Sequence, residues 1–113
     1  MASVPDEPIS KRDLARQAKI ADALGKTGFA LPGTVIVRSY ACGKANCRCH
    51  AKEPKLHGPY IQWTRKVDQK TITERLTDAE WRRYKRWFDN ARRLRALLSE
   101  LEELSLRIFE DQR

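Results

Sequence analysis

Apolar residues recur at helical spacing near the start of the chain. Leu14, Ala18, Ala21 and Leu24 lie three or four apart and share one face. Ser10 stands before them as a cap, Asp13 takes the capping-box position, Ile9 offers a staple, and Gly25 is a natural stop. A helix over 9–25 follows, with its apolar face on another helix and Lys11, Arg12, Arg16 and Lys19 in solvent. The connector 26–33, KTGFALPG, is expected to pack Phe29 and Leu31 on the core and to turn at Pro32-Gly33.

The period then changes from helical to alternating. Residues 34–40, TVIVRSY, read as a strand with Val35, Val37 and Ser39 on one face and Ile36, Arg38 and Tyr40 on the other. Residues 60–66, YIQWTRK, alternate likewise, Asp68-Gln69 makes a turn, and 70–76, KTITERL, return. Three such strands make a small antiparallel sheet.

The last third reads as one helix over 77–112. Thr77-Asp78-Ala79-Glu80 is a capping box, and no Gly or Pro follows it. Trp87, Ala91, Leu94, Leu98, Leu101, Ser105 and Ile108 repeat at four and three, a coiled-coil-like seam interrupted only by Ser105. Trp81, Tyr84 and Phe88 widen the apolar face near the helix start. A helix this long needs a partner for its seam. Either the first helix folds back on it or two copies pair. A homodimer through Trp87, Leu94, Leu98, Leu101 and Ile108 is expected.

The fold class is therefore α+β: an N-terminal helix, a three-stranded antiparallel sheet with a metal loop, and a long C-terminal helix. Its boundaries are a disordered tail over 1–8, which is short, polar and broken by Pro5 and Pro8, and a single domain over 9–113. Within that domain the helix runs over 9–25, a zinc-and-strand module over 33–76, and the long helix over 77–112.

Candidate chemistry concentrates between the first two strands. All three cysteines (Cys42, Cys47, Cys49) and both histidines fall in YACGKANCRCHAKEPKLHGPY, residues 40–60. Thiolate and imidazole are the ligands zinc prefers, and a structural site closes a tetrahedron with four of them. Cys42, Cys47, Cys49 and His57 are the expected set. His50 is the rival fourth ligand, but its place next to Cys49 makes an unstrained shared geometry harder. Gly43 is expected to let backbone N–H groups point at a sulfur. Three cysteines cannot all pair within one chain, so this spacing points to metal in a reducing cytoplasm rather than to a disulfide framework.

Charge sharpens the picture further. The net charge of +8 is uneven: residues 34–77 hold nine Lys/Arg against three Asp/Glu, whereas 96–113 hold two against five. Three thiolates, one divalent zinc and a neutral imidazole would take one positive charge from that basic centre. It would still favour a polyanion. Arg38, Lys44, Arg48, Lys52, Lys55, Arg65, Lys66, Lys70 and Arg75, with Tyr60 and Trp63 among them, form the candidate nucleic-acid surface. Arg82, Arg83, Lys85 and Arg86 could extend it, and DNA is the expected partner ahead of RNA. Trp63 has a competing role as the large residue covering the inner face of the sheet.

Other classes find little support. The loop's one acid is Glu53, and no deaminase pattern, phosphate loop or serine elbow appears, so no catalytic residues and no small-molecule substrate are assigned. No apolar run approaches a membrane span, and the N-terminus lacks an apolar signal region. The expectation is a non-enzymatic, zinc-containing, nucleic-acid-binding protein with a regulatory or accessory role. The alternative is a scaffold that assembles through the C-terminal helix.

Leu31-Pro32-Gly33, Cys42-Gly43-Lys44 with Cys47 and Cys49, His57-Gly58-Pro59-Tyr60 and the charged helix after Thr77 resemble an uncharacterised family of short prokaryotic and phage proteins. The resemblance spans roughly residues 30–105. It implies that His57 rather than His50 is the shared position, and it implies no activity.

Overall fold

A computed structural model describes residues 8–113. Of the tail expected over 1–8, residues 1–7 lie outside the described part. Helix α1 covers Lys11–Gly25, strands β1, β2 and β3 cover Thr34–Tyr40, His57–Val67 and Lys70–Leu76, and helix α2 covers Asp78–Asp111. No helix among the described residues is long and apolar enough to cross a membrane.

Both helix starts are capped as the sequence predicts. The Ser10 hydroxyl accepts the Asp13 N–H at 3.1 Å. The Thr77 hydroxyl accepts the Glu80 N–H at 3.0 Å while a Glu80 carboxylate oxygen accepts the Thr77 N–H at 2.8 Å, a closed capping box. These bonds satisfy N–H groups that a helix start otherwise leaves without partners.

The chain divides into two compact units. One joins the described residues up to Ala30 with Asp89–Arg113. Within it α1 lies along the later part of α2. Arg107 donates to Asp13 at 2.6 Å and holds that carboxyl below its usual value, and Arg16 pairs with Glu100 at 3.8 Å. The Arg16–Glu100 pair is solvent-exposed and contributes little to stability, whereas Asp13 is half-buried under Arg107. Ile20, Thr27 and Ala91 are buried, and Leu97, Leu101, Leu104 and Ile108 form a half-buried line along α2.

The buried face of α1 differs from expectation. Of the expected face Leu24 turns inward, but Leu14, Ala18 and Ala21 are exposed, and Ile20, Ala23 and Thr27 take the inner side with Leu24. Apolar residues lie on two sides of this helix, and β-branched Ile20 fills the inner position better than an alanine. Phe29, expected on the core, is 74 % exposed. Its carbonyl accepts Asn90 Nδ2 at 2.8 Å, which ties this connector to α2 through the backbone.

The second unit, Leu31–Phe88, holds the sheet in the order β1-β2-β3, antiparallel throughout. Val35 pairs with Trp63 and Trp63 with Glu74, while Ile36 pairs with Gln62 and Gln62 with Arg75, so alternate rows lie on opposite faces. The inner face carries Val35, Ile61, Trp63 and Leu76, and the first turns of α2 cover it. Phe88 sits edge-on to Trp63 at 5.4 Å and against Trp81 at 5.8 Å. Asp68 and Gln69 both take positive φ in the two-residue turn between β2 and β3, as a primed hairpin turn requires.

β2 begins at His57 rather than at the expected Tyr60. The register shifts between Arg38 and Tyr40 of β1, and Gly58 with Pro59 supplies the extra residue of a bulge. Gly58 has φ +111, and a Cβ there would come within 2.8 Å of the Arg38 carbonyl oxygen. The bulge lets the strand continue to His57 and aims that side chain into the loop.

Candidate metal centre

The loop between β1 and β2 gathers its donors from three places. β1 ends at Tyr40 and delivers Cys42. Cys47 caps a single 3-10 turn, Arg48–His50, whose middle residue is Cys49. The first residue of β2 is His57. The turn closes through the His50 N–H to the Cys47 carbonyl at 2.9 Å and the Ala51 N–H to the Arg48 carbonyl at 3.2 Å. That Arg48 carbonyl also accepts the Lys55 N–H at 3.1 Å, which folds the distal arm back.

One donor atom from each of Cys42, Cys47, Cys49 and His57 lies within 4.8 Å of the others, and together they could hold a metal ion. Cys42 Sγ is 3.6 Å from Cys49 Sγ, and Cys47 Sγ is 3.3 Å from His57 Nε2. Ligands about 2.3 Å (sulfur) and about 2.0 Å (nitrogen) from one tetrahedral ion would be separated by about 3.5–3.8 Å. The cluster is thus nearly at ligand spacing already.

His50 takes a different part. Its Nε2 is hydrogen-bonded to the Cys42 carbonyl oxygen, so it braces the loop from outside the donor set. The backbone N–H of Cys42 is aimed at a sulfur, 3.3 Å from Cys49 Sγ. Gly43 does not supply it and is not among the glycines at positive φ. The Cys49 backbone N–H, helped by the Cys49 and Cys42 thiols, pulls the Cys47 thiol down to about 6, while burial pushes the Cys49 thiol up. Thiolate charge is therefore already favoured on one sulfur, and a cation would draw the remaining protons off the others.

The candidate nucleic-acid residues divide between the two sheet faces. Arg38, Tyr60, Lys66 and Arg75 share the outer face. The Arg75 guanidinium stacks 3.8 Å over the Tyr60 ring and donates to the Tyr40 hydroxyl at 2.7 Å. Tyr40 lies 5.5 Å from the Tyr60 ring and 6.2 Å from the His57 ring. Lys44, Arg48, Lys52 and Lys55 are exposed around the metal loop.

Trp63, Arg65 and Lys70 stand on inner rows. Trp63 is half-buried against Phe88 and donates Nε1–H to the Pro32 carbonyl at 2.8 Å. Arg65 lies 3.8 Å over the Trp63 ring and pairs with Glu74 at 3.1 Å. Tyr40 is the functional candidate that the sequence reading left out. Strand alternation, which puts it on the face of Arg38, was the signal for it.

The seam residues divide as well. Leu101 and Ile108 join the half-buried line and Trp87 is half-buried near the start of α2, but Leu94 is 37 % and Leu98 50 % exposed.

Residues 11–85 match the family described as a domain of unknown function (DUF6788), and the chain belongs to that family. Comparison with curated proteins and with solved structures gave no match.

Proposed function

We propose that this member of the DUF6788 family is a small nucleic-acid-binding protein in which a structural zinc ion holds a basic, aromatic sheet face in place. Three soft thiolates and one imidazole suit zinc, and four protein donors fill a tetrahedron without leaving a position for water or substrate. The ion is accordingly assigned a structural rather than a catalytic role. One observation carries the reading: Arg75 stacks on Tyr60, bonds to Tyr40, and Tyr40 rests against the ligand His57. The outer face is thereby tied to the metal site through ring contacts. Its cations suit phosphates and its rings suit bases, as in surfaces that follow a nucleic-acid strand.

Oligonucleotide binding followed by fluorescence anisotropy in rising salt tests this. Affinity should fall linearly on a log–log plot. The Arg38→Glu, Lys66→Glu, Arg75→Glu triple variant should weaken binding more than about tenfold and flatten the salt slope by up to about three. Arg65→Gln, on the inner face, should stay within about twofold. Binding that is absent at low salt, or that ignores salt, contradicts the proposal.

A second reading, self-assembly through the helices, has its own observation. Leu94, Leu98 and Phe109, with Ser105 between them, form an uncharged and exposed line along α2, and Leu14 is exposed on α1. In a chain that is 34 % charged, such a line suits a second copy of itself, because a two-fold pair uses the same patch twice. Sedimentation equilibrium should find a dimer, and Leu94→Asp with Leu98→Asp should make it a monomer with unchanged helix content. If those two changes abolished function while the triple charge reversal did not, the scaffold role would replace nucleic-acid binding. A parent protein that is monomeric at high concentration would sink self-assembly.

A further inference from the structure

The second unit also contains a cavity of about 280 Å³ that neither the metal nor the outer sheet face uses. Its lining is made of the aromatic residues Trp63, Tyr84, Trp87 and Phe88, with Leu31, Leu76, Glu74 and Glu80. We propose that this cavity binds an alkylated ammonium group, carried either by a free organic cation or by a cationic side chain of a partner.

Three features of the site support that class of ligand. Aromatic faces attract cations through their quadrupoles, and several rings around one volume make a cage for a group that has shed its water. The two carboxylates add charge complementarity in a chain whose net charge is +8. Glu80 stays ionised, because the Thr77 N–H and hydroxyl that it meets in the capping box lower its pKa. Two of the lining residues already hold a cation from outside the cavity, since the Arg65 guanidinium lies 3.8 Å over the Trp63 ring and pairs with Glu74. A neutral apolar ligand would gain from the rings but nothing from the negative charge of Glu74 and Glu80, whose present partners are Arg65 and the Thr77 N–H. An anion would be repelled by them.

Titration of the intact protein with choline, followed by the indole N–H resonances of its tryptophans, tests the proposal. The Trp63 and Trp87 signals should move saturably while that of Trp81, which does not line the cavity, stays. The uncharged neohexyl alcohol isostere should bind at least about tenfold more weakly. Glu80→Gln keeps the capping-box acceptor and removes the charge. Combined with Glu74→Gln, it should weaken choline about tenfold without altering the melting curve by more than a few degrees. A short peptide bearing one trimethyllysine separates the sources: tighter binding than choline points to a partner's side chain, weaker binding to a free cation. Equal binding of choline and its isostere, or no saturable shift with either choline or the peptide, overturns the proposal. Oligonucleotide binding should be untouched by the two Glu→Gln changes, so this site and the sheet face stand or fall separately.

Discussion

Stripping the metal is expected to dissolve the sheet of the second unit while leaving most of the helical signal. The buried apolar residues of that unit, among those described, are Cys49, Ile61 and Phe88, and one of the three belongs to the candidate donor set. Such a core is too thin to hold three short strands unaided. A structural zinc in a small domain supplies about 10–16 kcal/mol of binding free energy that is also folding free energy, against a total stability of about 5–15 kcal/mol. Without the ion, the residues between Tyr40 and His57 lose what gathers them, and the ring contacts from His57 through Tyr40 to Tyr60 lose their anchor. Chelation should therefore abolish near-ultraviolet dichroism from the sheet aromatics and retain far-ultraviolet helical intensity from α1 and the later turns of α2. Loss of helix in step with sheet would show that the ion supports the whole chain.

Gly33→Ala is expected to be the most damaging single methyl group in the chain. Gly33 has φ +94, and a Cβ there would stand 2.3 Å from the Thr64 carbonyl oxygen and 2.9 Å from Trp63 Nε1. The first contact is with backbone in the middle strand, so neither partner can swing away. The chain must also pass this close because the preceding carbonyl, that of Pro32, accepts the Trp63 indole N–H at 2.8 Å. Moving β1 outward would break that bond and open the inner face against Phe88. Positive φ in a residue with a side chain and the forced backbone shift together should cost about 3 kcal/mol. Gly25→Ala is the control, since a Cβ there meets nothing within 4 Å. Urea denaturation should place Gly25→Ala within about 1 kcal/mol of the parent. A Gly33→Ala protein equally close to the parent would mean that β1 does not approach β2 as described.

These two effects show what could be read from residues alone. The caps at Ser10 and Thr77, the alternation of the three strands and the turn at Asp68-Gln69 were legible, because each depends on local chemistry within a few residues. The donor set was legible for a similar reason: thiolate and imidazole in a short basic loop have few other uses. The Leu-Pro-Gly segment could be read as a turn, but its tight approach to Thr64 depends on a strand some thirty residues away. The face of α1 was legible at Leu24 alone, because Leu14, Ala18 and Ala21 compete with Ile20 and Ala23 for the inner side. Helical spacing does not rank two such stripes.

The candidate surface shows the same limit. Alternation separates Tyr60, Lys66 and Arg75 from Trp63, Arg65 and Lys70, but it does not say which row is covered. Phe88 decides that by packing on Trp63, a contact that a one-dimensional pattern does not contain. The seam of α2 was likewise wider than a single partner needs: Leu97 and Leu104 join Leu101 and Ile108 on the half-buried line, and Leu94 and Leu98 remain outside it.

Zinc K-edge X-ray absorption on the purified protein, with its metal content measured on the same sample, tests the metal-centred account most directly. The account predicts one zinc per chain with three sulfur ligands at about 2.3 Å and one nitrogen at about 2.0–2.1 Å. His57→Ala should remove the nitrogen ligand, and His50→Ala should leave the spectrum as it was. Substoichiometric metal, an oxygen in place of the imidazole, or a spectrum that changes with His50 but not with His57 would contradict it.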